Sequence, residues 1–272
     1  MMKLAFAGVS RITAGLPLIK LLDNPQRMLR EAVGLTGNNI VRIDAAKQEL
    51  REMELRRQLA RFSKWMYRLG YAPGTAGNLS VRLDAERILA TPTGCSKYLL
   101  HPADMVITDM EGRLLSGTRN VTSEIGMHLT IYHDRPDVHA VVHAHPPTAT
   151  AFASCGLALD TPLCAELVMT LGRIPLAPYA TTGTEELGAS IRPLLSDHDA
   201  ILLANHGAVT CGKDLQDAFM KMETTEHFAQ VCLATREIGC PRPLDHEAIE
   251  KLEQARERYL KNCRGQQKSA MP

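Results

Sequence analysis

The chain has no surplus of charge: 31 Lys and Arg residues are matched by 30 Asp and Glu, for a net charge of +1 spread over 272 residues. No field exists to draw in nucleic acid or an anionic bilayer, so neither is an expected partner and a small molecule is. It also lacks any C-x-x-C pair among Cys95, Cys155, Cys164, Cys211, Cys232, Cys240 and Cys263. An odd, scattered set argues for a reducing cytoplasm and inert thiols, not a disulfide framework. No apolar run spans a bilayer, and the amino-terminal one is interrupted by Arg11. That first segment has no acid before Asp23, yet it carries no small-residue cleavage signal, so it reads as an extension and not a targeting sequence. Internal repeats and low-complexity linkers are missing as well. We therefore expect residues 1–45 to be an extension of unassigned role and residues 46–272 to form one catalytic domain, with 45% hydrophobic content to fill its core.

The periodicity that is present supplies a frame. Leu55, Leu59, Phe62, Met66 and Leu69 recur at three- and four-residue spacing, which predicts an amphipathic helix stopped by Gly70. Leu79, Val81 and Leu83 alternate with polar neighbours, and residues 88–90, 105–108 and 113–115 continue as short strands between turn signals. After the capping pair Thr122-Ser123, Ile125, Leu129 and Tyr132 share one helical face. Strands over 138–143 and 200–204, with helices over 148–154, 185–195 and 214–238, complete the pattern. Strands and helices mix without regular βαβ alternation. The expected class is therefore α/β, with a largely antiparallel central sheet flanked by helices on both faces.

His143 and His145 end the apolar run Val141-Val142 and, two residues apart on an extended strand, point the same way. Such a pair can share a metal ion, and a catalytic zinc needs about three protein ligands with a further position open. His206 in Asn205-His206-Gly207, at the end of another apolar strand, and Glu124, in the first turn of a helix, are the candidates to complete the set. Each has a structural explanation alone: a strand-end residue, a charge favoured by the helix dipole, a satisfied core histidine. Taken jointly, three imidazoles and one carboxylate suit zinc. His128, His133, His139, His198 and His227 have no such pairing and read as structural or exposed.

Six blocks, in this order, carry a resemblance: Gly74-Thr75-Ala76-Gly77-Asn78-Leu79-Ser80, Thr91-Pro92-Thr93-Gly94, Thr122-Ser123-Glu124, His143-Ala144-His145, Ala177-Pro178-Tyr179-Ala180-Thr181 and Asn205-His206-Gly207. From about Met53 to Tyr259 the chain resembles the class II aldolase/adducin superfamily, in pattern most of all its L-fuculose-1-phosphate aldolases. The resemblance implies a three-layer fold, Zn2+ held by Glu124, His143, His145 and His206, and a substrate phosphate held by Asn78, Thr93, Gly94, Thr122 and Ser123. It also implies cleavage of a ketose 1-phosphate to dihydroxyacetone phosphate and an aldehyde, by a cytoplasmic homotetramer with active sites at subunit boundaries.

In such a reaction the metal is the sink for charge left beside the carbonyl, and Glu124 handles the proton on carbon. The aldolases resembled use tyrosines for the hydroxyl proton. Tyr259 matches the C-terminal one, whereas the stretch from Pro162 to Leu167 has none, leaving Glu166 as the candidate there. Pentose-phosphate 4-epimerases of the superfamily carry Asp where this chain has Glu124. Methylthioribulose-1-phosphate dehydratases generally lack that glutamate, and they are the second reading, with a sugar-acid decarboxylase third. An adducin-like module without catalysis is the remote one, because it has no reason to keep four metal ligands and a phosphate pocket together.

Overall fold

Eight strands pair into one sheet in the order β4-β3-β2-β1-β5-β8-β7-β6, antiparallel throughout except for the β6/β7 pair. The strands are β1 Asn78–Arg82, β2 Ile88–Ala90, β3 Val106–Thr108, β4 Leu114–Ser116, β5 Ala140–Ala144, β6 Leu176–Ala177, β7 Ala200–Leu203 and β8 Gly207–Gly212. The helices are α1 Gly37–Arg68, α2 Ile125–Asp134, α3 Pro147–Ser154, α4 Ala165–Thr170, α5 Glu185–Ile191, α6 Leu215–Ile238 and α7 His246–Ser269. This computed structural model describes residues 37–239 and 241–269, with side chains over 45–239 and 241–258. Apart from the start of α1, the expected extension 1–45 lies outside the described residues. The chain divides after Arg51, and the unit Glu52–Pro272 holds the sheet.

Alternation along the strands splits the core into two layers. Ala140, Val142 and Ala144 of β5 face a layer with Leu59, Phe62 and Met66 of α1, Phe152 of α3 and Phe219 and Met222 of α6. Val141 faces the opposite layer, where Met127, Leu129 and Ile131 of α2 meet Leu187 and Ile191 of α5. The sheet is thus covered on both sides, as its two-residue period requires.

Boundaries move where local hydrogen bonds decide them. The helix after Thr122-Ser123 starts at Ile125, so Glu124 stands at its N-cap position and not in its first turn; the Thr122 Oγ1 takes the Glu124 N–H at 3.4 Å and the Thr122 carbonyl that of Ile125 at 3.2 Å. The segment after His206, given no element from the sequence, is β8, which pairs with both β5 and β7. Among the described residues, no helix is long and apolar enough to cross a membrane.

Candidate metal centre

Three strands and a helix end converge on one point. The β1/β5 register sets Asn78 opposite His143, and the β5/β8 register sets His143 opposite Val209. His145 follows β5 directly, and its backbone N–H donates to the Tyr71 carbonyl at 2.8 Å. His206 sits in the tight turn between β7 and β8. That turn needs Asn205 in the left-handed region, at φ 54°, which asparagine tolerates better than most residues. Just past the pair, the buried Glu226 of α6 accepts the Thr148 and Ala149 N–H groups at 3.0 and 2.8 Å, anchoring the start of α3.

His143, His145 and His206 bring their ligand nitrogens within 4.8 Å of one another, and Glu124 adds a carboxylate. His145 Nε2 lies 3.1 Å from His143 Nε2; Glu124 Oε2 lies 3.3 Å from His143 Nε2, and Glu124 Oε1 lies 3.1 Å from His206 Nε2. His143 Nδ1 donates to the Ala208 carbonyl at 2.9 Å, so its Nε2 presents a lone pair to that carboxylate. Glu124 Oε1 is buried without a hydrogen-bond partner, as is His206 Nδ1. The His143 Nε2 lone pair thus faces a carboxylate, and each buried unsatisfied group, Glu124 Oε1 and His206 Nδ1, costs about 1–3 kcal/mol. A cation among them removes the conflict, so the donor set fits a metal ion.

The protonation states agree with that fit. Burial pushes His143 down to about 3, against the pull of Glu124, and burial with the neighbouring His206 lowers His145. Burial by itself raises the carboxyl of Glu124. The adjoining His143 and His206 and the Asn78 amide outweigh it and hold the group ionised. Neutral imidazoles and an ionised carboxylate are the forms in which these side chains ligate metals.

The blocks expected to hold phosphate adjoin this cluster. An isolated bridge between Pro92 and Val121 draws residues 91–94 beside Thr122 and Ser123, and the Thr93 N–H donates to the Asn120 carbonyl at 3.1 Å. Thr93, Gly94 and Ser123 are exposed there, while Thr122 is buried. Lys97 ties on the glycine loop: its Nζ donates to the Thr75 carbonyl at 3.1 Å and the Cys95 carbonyl at 3.0 Å. Burial brings this ammonium down to about 8. Asn78 is differently engaged, since its amide N–H donates to Glu124 Oε2 at 2.8 Å and its oxygen accepts from His128.

One expected residue is not joined to the cluster. Glu166 is exposed in the first turn of α4 and makes no hydrogen bond or ion pair with Glu124 or the three histidines. Tyr259 falls within α7, where its side chain lies outside the described residues. Sequence reasoning overlooked Lys97 and treated His128 as incidental, although both are fully buried. The i, i+4, i+8 spacing of Glu124, His128 and Tyr132 was the available signal for the second. A surface groove lined by Arg61, Lys64, Trp65, Arg68 and Tyr98 contains none of the cluster residues.

The model of the class II aldolase and adducin N-terminal domain matches residues 57–233. Among curated proteins, the 3-oxo-tetronate 4-phosphate decarboxylase of Escherichia coli strain K12 is 38% identical over 185 residues, covering 66% of this chain and 86% of that protein. The 5-deoxy-D-ribulose 1-phosphate aldolase of Bacillus thuringiensis serovar kurstaki is 34% identical over 206 residues, covering 75% and 96%. Among solved structures, an L-fuculose 1-phosphate aldolase superposes with a TM-score of 0.70 at 30% identity, covering 74% of this chain and 95% of that one.

Proposed function

The chain belongs to the class II aldolase and adducin family, and we propose that it is a zinc-dependent lyase cleaving a ketose 1-phosphate, of the L-fuculose 1-phosphate kind, to dihydroxyacetone phosphate and an aldehyde. The observation that carries this reading is the Glu124 carboxylate set 3.3 and 3.1 Å from the Nε2 atoms of His143 and His206, beside His145. A divalent cation held by Glu124, His143, His145 and His206, Zn2+ by its nitrogen and carboxylate donors, would supply a Lewis acid for the negative charge that cleavage leaves beside the carbonyl. In this reading residues 46–272 are the catalytic domain, residues 1–45 stand outside it, and a homotetramer is the working form.

The chain's own groups have three tasks. Thr93, Gly94, Thr122 and Ser123, with Asn78 beside them, bind the phosphate through neutral donors, and the Lys97 ammonium adds positive charge to the same loops. Breaking the bond between C3 and C4 requires the C4 hydroxyl to lose its proton as that carbon becomes the aldehyde, while C3 gains one. Glu124 carries the proton at C3 on a carboxylate oxygen. The hydroxyl proton falls to a second group, for which this chain offers Tyr259 and Glu166.

The exposure of Glu166, together with the 38% identical relative, supports a second reading, decarboxylation of a 3-oxo sugar-acid phosphate. That reaction also leaves charge beside a carbonyl, but it has no hydroxyl proton to remove. The test is to incubate zinc-loaded protein with L-fuculose, 5-deoxyribulose and methylthioribulose 1-phosphates and with 3-oxo-tetronate 4-phosphate. Release of dihydroxyacetone phosphate with an aldehyde from a ketose 1-phosphate is expected. Turnover of the 3-oxo-tetronate alone, to dihydroxyacetone phosphate with an equivalent of carbon dioxide, selects the decarboxylase, water loss without cleavage a dehydratase, and no turnover of any of the four overturns the lyase reading.

A further inference from the structure

Strand β1 and helix α2 meet through a ladder of polar side chains in a layer that is otherwise apolar. Asn78, Ser80 and Arg82 occupy alternate strand positions, and Glu124, His128 and Tyr132 recur every four residues at the cap and along the helix. Two strand residues advance about 6.7 Å and four helix residues about 6 Å, so the two rows stay in step. Asn78 bonds to both Glu124 and His128. The Ser80 hydroxyl lies 2.7 Å from His128 Nδ1 and 2.8 Å from the Tyr132 hydroxyl. At the far end the Arg82 guanidinium sits 4.8 Å from the Tyr132 ring centroid and donates to the Tyr132 carbonyl at 2.6 Å.

The direction of every bond follows from the carboxylate. An ionised Glu124 only accepts, so Asn78 turns its N–H to it and its oxygen to His128. His128 must then donate from Nε2 and accept at Nδ1, so the Ser80 hydroxyl donates to the ring and the Tyr132 hydroxyl donates to Ser80. Ser80 and His128 are wholly buried, and Tyr132 nearly so. Apolar side chains there would avoid the cost of burying polar groups. The one ionised acceptor on the ladder is Glu124.

We propose that Tyr132, Ser80 and His128 are positioning residues, a one-way chain of donors that locks the Asn78 amide onto Glu124 and fixes the carboxylate for the metal. The inference rests on reading Glu124, His143, His145 and His206 as ligands. Partners of this kind, one bond removed from a ligand, typically alter metal affinity by about 10- to 100-fold.

The test strips the purified protein of metal and titrates it with Co2+, following the visible absorption band and the chelator concentration that removes the ion, for wild type, Ser80→Ala, His128→Gln and Tyr132→Phe. The first two variants should weaken cobalt by about tenfold or more and shift the band, with Tyr132→Phe, farther out, affected less. An Asp199→Ala control should lose thermal stability without changing the cobalt spectrum, which separates positioning from general destabilisation. Should His128→Gln not fold, Ser80→Ala and Tyr132→Phe decide. Affinities within about twofold of wild type and an unshifted band overturn the proposal while leaving the metal reading intact. A wild type that takes up no cobalt overturns both.

Discussion

Glu124 Oε1 lies 3.1 Å from His206 Nε2, across a gap in which neither geometry nor burial provides a hydrogen bond. One atom belongs to a helix cap and the other to a tight β-turn, 82 residues apart in the chain. The two elements bring a carboxylate oxygen and an imidazole nitrogen face to face, two atoms that could serve the same metal ion.

Replacing Glu124 by Gln keeps the shape and one ligand oxygen but removes the proton acceptor. Zinc content should stay within about twofold of wild type because three imidazoles remain, while dihydroxyacetone phosphate release from the cleaved ketose 1-phosphate should fall by about 100-fold or more. Full activity in the variant would refute the assigned proton carrier.

Gly207 gives the site its close packing. A Cβ there would stand 2.5 Å from the Ala144 carbonyl oxygen and 2.8 Å from His145 Cδ2. Backbone cannot yield so far, so Gly207→Ala should displace His145. We expect a loss of about tenfold or more in Zn2+ affinity, measured against a competing chelator. Unchanged affinity would mean that the turn relaxes without moving the ligand.

Much of this was readable in the chain. The apolar strand ending in His143-Ala144-His145 and the Asn205-His206-Gly207 block identified three imidazoles, and the mixed pattern pointed to an antiparallel sheet between helices. Strand β8 escaped because Gly207-Ala208-Val209-Thr210-Cys211-Gly212 is bounded by glycines and has weak alternation; its identity comes from pairing on both sides. Helix α7 escaped because Lys, Glu, Gln and Arg dominate it. Asn78 was expected on phosphate, whereas its engagement with Glu124 and His128 depends on a strand-to-helix contact. Lys97 was illegible, since nothing local separates a buried lysine from a surface one.

Lys97 should leave a mark on the pH dependence of stability. Burial brings its ammonium from 10.5 to about 8, so between these pH values the unfolded chain binds the extra proton. Stability therefore rises with pH through that window. The penalty, on the order of 3 kcal/mol, is full below about pH 8 and gone above about 10.5. Against Lys97→Met, the melting temperature of the wild type should improve by several degrees between about pH 7.5 and pH 10. A difference that does not vary with pH would show that the ammonium is not destabilised by its burial.

Asp199, directly before β7 and so at the strand end opposite His206, joins two cations, accepting from Arg135 at 3.0 Å and Lys221 at 2.9 Å. Burial works against its ionised form, but Lys221 and Arg135 hold its carboxyl below the ordinary range. Asp199→Ala leaves Arg135 with Asp137 and Lys221 with Asp217, so urea unfolding near neutral pH should record a loss of about 1 kcal/mol, the worth of the hydrogen bonds removed. Because the folded carboxyl is depressed, that contribution is full above its unfolded pKa of about 4 and fades as the pH falls through the folded value. Equal loss at pH 7 and pH 3 would contradict the ion-pair origin.

The most direct measurement is elemental analysis of protein purified without chelators, with and without added Zn2+. The four-ligand reading expects about one zinc per chain, removable by chelator and lost on His143→Ala or His206→Ala. Less than about one-tenth equivalent, with no uptake when zinc is added, would contradict it.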